Sequence, residues 1–163
     1  MKKIIKTVVL LSMMITGAQA ISISELEFGS VYQKELEPIT GESANASYGA
    51  MITATFKEVP MIGDATVTAT ALKESIDIDF GKKFYFDKQK KFYGYLGTGA
   101  KVLYKEPTVL SAYNNQINPY VKGELGYKVK KNLTVFGGVK YFFEKQSRAK
   151  EQYIPYIGLK YKF

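Results

Sequence analysis

Apolar and polar side chains alternate along most of this chain beyond its first twenty residues. Successive side chains of a β-strand point to opposite faces, so this alternation predicts strands with one apolar and one polar face. No segment cleanly shows the three- and four-residue apolar spacing of an amphipathic helix. Eight alternating segments occur, at residues 24–34, 46–56, 65–72, 76–86, 91–104, 118–129, 132–144 and 151–163.

The last of these segments has the clearest pattern. Tyr153 and Leu159 share the apolar parity, Lys160 and Lys162 share the polar one, and the segment ends on Phe163. Repeated segments of about ten alternating residues, separated by turn residues, are typical of transmembrane β-barrels. The sequence therefore predicts an all-β fold, a closed eight-stranded antiparallel up-and-down transmembrane barrel.

The first twenty residues have the pattern of a secretory signal peptide. Lysines at positions 2, 3 and 6 precede a short apolar run, and Ala18-Gln19-Ala20 is a small-x-small cleavage motif. The apolar run is too short for a transmembrane anchor, which takes about 20 residues. We predict a signal peptide at 1–20, export through the Sec pathway with cleavage after Ala20, and a barrel domain at 21–163.

Composition narrows the possible chemistry. The chain has 163 residues, a net charge of +8, no cysteine and no histidine. Asp77 and Asp79 point the same way along a strand, but a zinc site or a Ser-His-Asp arrangement is not available without histidine or cysteine. We therefore expect no enzyme activity, no catalytic or metal site and no cofactor. The lysines are spread along the chain, so no nucleic-acid partner is expected.

Aromatic residues test the barrel assignment. Lipid-facing aromatics of such barrels form two belts at the membrane interfaces. With both termini on the periplasmic side, the predicted strands place aromatics at both ends. The inner belt is predicted to contain Phe56, Phe84, Phe86, Phe92 and Tyr127, and the outer belt Tyr32, Tyr48, Tyr104, Tyr141, Phe143 and Tyr153.

The polar parity predicts a charged interior. An eight-stranded barrel is just wide enough inside for side chains to fill, and charges buried there must be paired. Closure of the sheet is expected to bring Glu25 and Glu27 beside Lys160 and Lys162. The predicted network comprises Glu25, Glu27, Asp77, Asp79, Lys101, Lys122, Glu124, Lys140, Lys160 and Lys162. A plug of ion pairs is the simpler interpretation, and a narrow or gated ion path is the alternative.

Three further features of the sequence carry expectations. Lys82 lies on the lipid-facing parity, and we favour a bulge near Gly81 over a lysine that reaches to the inner interface. The pair Gly97 and Gly99 is expected to leave room for interior tyrosines. In the longest connection, residues such as Tyr113 are candidates for contact with a partner, together with Leu110 and Asn114, although a solvated loop is the simpler interpretation.

These residues resemble the small eight-stranded outer-membrane barrels: the OmpA transmembrane domain, OmpX and the opacity-type proteins. The resemblance covers 21–163, and its most specific motif is Leu159-Lys160-Tyr161-Lys162-Phe163. It implies that Tyr161 and Phe163 form a signal for the barrel-assembly machinery. It also implies a Gram-negative outer membrane, with its lipid and lipopolysaccharide, as the surroundings of a monomeric barrel. Lipid-modifying barrels of similar size use histidine, which this chain lacks.

The leading interpretation is a non-enzymatic integral outer-membrane barrel with a structural or surface-interaction role, whose outer loops could bind host or surface ligands. A small ion- or solute-conducting, porin-like channel is one alternative. A soluble periplasmic lipid-binding barrel is another, but such a protein needs an apolar interior.

Overall fold

The computed structural model describes residues 22–39, 46–59, 63–108, 111–143, 146 and 149–162. The predicted signal peptide, Leu110 and Phe163 lie outside the described residues. Within the described part of the chain, no helix has the length and apolar character needed to cross a membrane.

Eight strands form one closed, wholly antiparallel barrel in which each strand pairs with its neighbours in sequence and the last pairs with the first. The predicted fold class is confirmed, and the strand ends differ from the predicted ones by only a few residues. The strands are β1 (Ser22–Lys34), β2 (Ala46–Val59), β3 (Gly63–Ala71), β4 (Ser75–Tyr85), β5 (Phe92–Leu103), β6 (Ile117–Lys130), β7 (Leu133–Phe142) and β8 (Tyr153–Lys162).

Closure of the barrel depends on the pairing of β1 with β8. The register runs from Glu27 opposite Lys162 to Gln33 opposite Tyr156. Because every backbone ladder is then paired around the ring, the sheet has no open edge.

The outer surface of the barrel is apolar along the length of the strands. Side chains on the predicted lipid-facing parity are exposed, and between the two ends they are mainly aliphatic. Exposed examples are Leu26, Ile52, Leu96, Val121, Leu125, Val135, Val139, Ile157 and Leu159. An exposed apolar band that encircles the barrel is the surface expected of a β-barrel that is surrounded by lipid.

The predicted belt residues lie at the two ends of this band. We call the end of the barrel at which β1 begins and β8 ends the inner end, and the opposite end the outer end. The strand bounds place Phe56, Phe84, Phe86, Phe92 and Tyr127 at the inner end, and Tyr32, Tyr48, Tyr104, Tyr141, Phe143 and Tyr153 at the outer end. All of them are exposed except Phe56, which is half-buried. Tyr161 is also exposed, at the inner end of β8.

The expected bulge near Gly81 is wrong. The register of β4 with β5 runs without a shift from Ser75 opposite Leu103 to Tyr85 opposite Tyr93. Lys82 therefore does project outward, and its Nζ atom lies 3.8 Å from the position that a β-carbon on Gly63 would occupy. Since Gly63 begins β3 at the inner end, the lysine reaches toward that interface, as long amphipathic side chains do.

The turn between β4 and β5 is organised by one carboxylate. The two carboxylate oxygens of Asp87 accept hydrogen bonds from the backbone amides of Lys91 (3.0 Å) and Phe92 (2.7 Å). These hydrogen bonds favour the ionised form, so they lower the pKa of Asp87 below its usual range. Lys90, in the same turn, has a φ of 54°, which the tight reversal requires.

Several interior aromatic rings lie over glycines of the neighbouring strand. Tyr93 of β5 is paired with Gly126 of β6, and a β-carbon on this glycine would lie 2.2 Å from the tyrosine ring. Gly97 lies under Tyr95 of its own strand, and a β-carbon on it would lie 2.4 Å from the tyrosine hydroxyl, as expected for a glycine that leaves room for an interior tyrosine. Gly99 instead faces Asp79, whose Cβ would lie 2.7 Å from a new β-carbon.

We predict that Gly126→Ala lowers the free energy of unfolding in detergent or lipid by about 1–3 kcal/mol, the usual effect of overpacking. Gly123→Ala is the matched control on the same strand, because its β-carbon would meet only Leu96, at 3.9 Å, on the outer face. Equal urea midpoints for the two variants would contradict the proposed fit between ring and glycine.

The Asp87 turn predicts a pH dependence. Because the pKa is lower in the folded than in the unfolded chain, the carboxylate stabilises the fold above roughly pH 4, the ordinary pKa of aspartate. This contribution is lost as the pH falls through the folded-state pKa. The stability difference between the parent chain and Asp87→Asn, measured by urea unfolding, is therefore expected to be constant near neutral pH and to shrink below roughly pH 4. A difference that persists unchanged in acid would contradict this role.

Candidate functional site: the charged interior of the barrel

The interior of the barrel contains the predicted charged residues and is filled by their side chains. Eight of the ten are buried, whereas Glu25 and Lys162 are half-buried at the inner mouth. The buried eight are Glu27, Asp77, Asp79, Lys101, Lys122, Glu124, Lys140 and Lys160. Charges buried this completely require partners, and the structure provides them in three groups.

The first group lies at the inner mouth. Lys83 Nζ lies 2.6 Å from Glu27 and 3.7 Å from Glu25. Lys162 Nζ lies 2.7 Å from Glu25. Lys83 is absent from the network predicted from sequence, although it has the interior parity on β4 and could have been included on that basis.

The second group lies deeper and is built around Glu124. Lys160 Nζ lies 2.5 Å from this carboxylate and Lys122 Nζ lies 3.4 Å from it. Lys122 also contacts Asp79, at 3.2 Å. Two carboxylates and two ammonium groups therefore balance one another in the middle of the barrel.

The third group lies toward the outer end and is built around Asp77. Lys140 Nζ lies 2.5 Å from one carboxylate oxygen and Lys101 Nζ lies 3.4 Å from the other. Lys140 also donates to the side-chain oxygen of Gln33 (2.8 Å), and Lys101 lies 3.3 Å from Glu35. The network therefore extends from β4 across the interior to β1, β5 and β7.

One expected neighbour differs from the observed one. Lys162 contacts Glu25 as expected, but Lys160 contacts Glu124 on β6 rather than a carboxylate of β1. In the β1–β8 register Lys160 is opposite Gly29, so its side chain extends across the lumen instead. Lys140 is opposite Lys122 in the sheet but pairs with Asp77.

Interior tyrosines complete the coordination of the carboxylates. The hydroxyl groups of Tyr93 and Tyr156 donate to Glu124, at 2.9 and 3.2 Å, and that of Tyr95 donates to Asp79, at 2.7 Å. Their rings also border the ammonium groups; Lys122 Nζ lies 5.1 Å from the centre of the Tyr95 ring, within the range of a cation–π contact. Interior parity was the signal in the sequence that could have added these residues to the network.

An apolar cluster closes the outer mouth of the barrel. It brings together residues of the strands and of three outer connections, namely Leu36, Ala112, Tyr113, Tyr120, Phe142, Ala149 and Ile154. The Tyr113 hydroxyl donates to Glu35, at 2.5 Å, and so links this cap to the charged network. Ala112 and Tyr113 of the β5–β6 connection therefore fold inward over the barrel.

This inward fold changes the assignment of the longest connection. Tyr113 is 7% exposed, so the expectation that it is available to a partner is wrong, and so is its description as part of a solvated loop. The amide of Asn114 donates to Gln146 Oε1 (2.9 Å), which ties this connection to the one before β8.

The charged and polar side chains of the interior form ion pairs and hydrogen bonds with one another. Within the described residues, no set of three or more acidic, histidine or cysteine side chains is placed to hold a metal ion. Among buried side-chain polar atoms of this part of the chain, Asn118 Oδ1 alone has no hydrogen-bond partner. What this arrangement does physically is fill and neutralise the lumen.

Comparisons with known proteins support the architecture. No protein-family model matches the sequence, and no curated protein matches it. The chain is similar to a solved structure from the de novo design of transmembrane β-barrels, with 14% sequence identity and a TM-score of 0.54. The match covers 87% of this chain and 98% of that chain. At this identity the likeness shows the fold alone: a closed eight-stranded barrel of the transmembrane type.

We predict that Glu124→Gln lowers the free energy of unfolding by about 3–5 kcal/mol, because it leaves Lys160 buried without a carboxylate. Glu37→Gln is the control. Glu37 pairs with Lys150 at the solvated outer end, where an ion pair contributes little. Urea unfolding in lipid vesicles measures both. A Glu124→Gln/Lys160→Met double variant should recover part of the lost free energy of unfolding. A double variant that is no more stable than Glu124→Gln would contradict the pairing of Glu124 with Lys160.

Proposed function

We propose that this chain is a non-enzymatic integral outer-membrane β-barrel with a structural or surface-interaction role. The observation that carries the proposal is the combination of an exposed apolar band around the barrel with a filled, ion-paired interior. A barrel with this polarity is stabilised by lipid outside and by its own side chains inside. The resemblance of the terminal motif to the small outer-membrane barrels supports the compartment.

The interior argues against a channel. Lys122 and Lys140 lie side by side on β6 and β7, but each forms an ion pair with a carboxylate of β4. Lys122 pairs with Asp79 and Lys140 pairs with Asp77. At the outer mouth, Tyr113 and Phe142 pack edge to face, with ring centres 5.8 Å apart. An ion would have to displace both the cap and the paired charges, so a closed barrel is the better proposal.

The same polarity argues against a soluble lipid carrier. Such a barrel would hold its ligand against an apolar interior and present polar side chains to water. Here the arrangement is inverted, because Leu96 and Ile157 are 65% and 62% exposed whereas Lys101 and Asp77 are at most 1% exposed.

The proposed partners follow from this placement. Outer-membrane lipid and lipopolysaccharide would contact the apolar band and its belts, and Tyr161 with Phe163 would be recognised by the barrel-assembly machinery. Solvent-exposed side chains of the outer connections, such as Ile39, are the surface most available to host or surface ligands. The proposed barrel is a monomer and has no cofactor.

The membrane assignment is tested by electrophoresis of the exported protein with and without boiling. We expect the protein in the outer-membrane fraction, with a folded band that changes mobility on heating, because a closed barrel resists detergent until its ladders melt. In planar bilayers we also expect no discrete conductance steps under conditions in which a reference porin conducts. An unshifted band in the soluble fraction would overturn the membrane assignment, and reproducible steps would overturn the closed barrel.

A further inference from the structure

Six lysines gather at the inner end of the barrel, on the β4–β5 and β6–β7 turns and the strand ends beside them. We call this the inner lysine cluster; its members are Lys88, Lys90, Lys91, Lys128, Lys130 and Lys131. The two turns are neighbours because β5 pairs with β6, and the Lys128 amide donates to the Lys91 carbonyl, at 2.8 Å. Lysines that are far apart in sequence therefore lie on neighbouring turns at one end of the barrel.

The charge of this cluster is balanced only in part by the described part of the chain, through the electrostatic attraction between Lys128 and Glu25. None of its ammonium groups lies within ion-pair distance of a described carboxylate, in contrast to the lumen, where every predicted lysine does. Asp87 is the one acidic residue of these two turns, and its oxygens are occupied by backbone amides. All but Lys128 are exposed, and Lys128 is half-buried. The surface therefore attracts anions.

An apolar wall adjoins the cluster on the lipid-facing side. A groove of about 370 Å³ is lined by Lys91, Lys128, Lys130, Lys131, Tyr127 and Val129. Tyr127 and Val129 are each 52% exposed. Next to them, the tilted rings of Phe86 and Phe92 pack against each other with their centres 5.1 Å apart. Cationic and apolar surface thus meet in one groove at the level of the inner aromatic belt.

We propose that this groove binds an anionic phospholipid of the inner leaflet. The phosphodiester would contact the ammonium groups of the cluster while an acyl chain lies against Tyr127 and Val129. Basic residues beside a membrane surface attract anionic headgroups, and aromatic side chains prefer the same depth. A soluble anion would use the lysines but not the wall, so the coexistence of the two favours a lipid. This inference rests on the membrane location given under the proposed function.

The test uses the folded, full-length mature barrel in detergent and native mass spectrometry with dioleoyl-phosphatidylglycerol and dioleoyl-phosphatidylcholine. We expect preferential retention of the phosphatidylglycerol. Lys130→Gln/Lys131→Gln should reduce this retention, by roughly fivefold for each lysine removed. Lys73→Gln/Lys105→Gln is the matched control, because it removes two exposed lysines from the outer end. It should leave retention unchanged.

Tyr127→Ser should also weaken retention, because it removes part of the wall without changing the charge. Equal losses in the two lysine variants, no preference for phosphatidylglycerol, or displacement of the lipid by inorganic phosphate would each overturn the lipid site. The heat-dependent mobility of the same samples separates the two claims. A folded, heat-shifted barrel without lipid preference contradicts only this inference, whereas an unshifted band contradicts the proposed function.

Discussion

The narrow lumen is the constraint on which the rest of this structure depends. Eight closed strands leave an interior that only side chains can fill, and this chain fills it with charged and aromatic residues. Each buried ammonium group then needs a carboxylate, since an unpaired charge in such a place costs several kcal/mol. The three groups of ion pairs satisfy this demand, and tyrosine hydroxyls supply the remaining donors to Glu124 and Asp79.

Filling the lumen also explains the interior glycines. A ring as large as that of Tyr93 fits only because Gly126 lies opposite it, and Tyr156 and Gly138 form a similar pair between β8 and β7. Large and small side chains therefore complement one another across the ladders, as they do in close-packed protein interiors. Aromatic rings, glycines and ion pairs are thus parts of one packing solution.

The alternation of side chains was sufficient to predict the strands, the closed order and the residues on each face, because the two-residue period is a local property of a strand. The contacts across the lumen were harder to predict from the sequence. Lys140 and Asp77 lie on β7 and β4, and which of several lysines reaches a given carboxylate depends on the tilt and stagger of the whole barrel. The bulge expected near Gly81 was wrong, because a long side chain such as that of Lys82 can lie on the lipid face and still reach an interface. The inward fold of Tyr113 depends on tertiary contacts with Glu35 and Phe142 that no local pattern carries.

The ion pairs also divide the chain into two halves of opposite sign. The lumen side of β1 to β4 is mainly acidic, whereas that of β5 to β8 carries mainly lysines. The acidic residues of the first half are Glu25, Glu27, Asp77 and Asp79, with Glu35 just beyond β1. Pairs such as Lys140 with Asp77 and Lys162 with Glu25 join the halves. A half-assembled sheet in lipid would carry a strong net charge on its inner face. Attraction between an acidic and a basic half-sheet therefore favours closure of the ring.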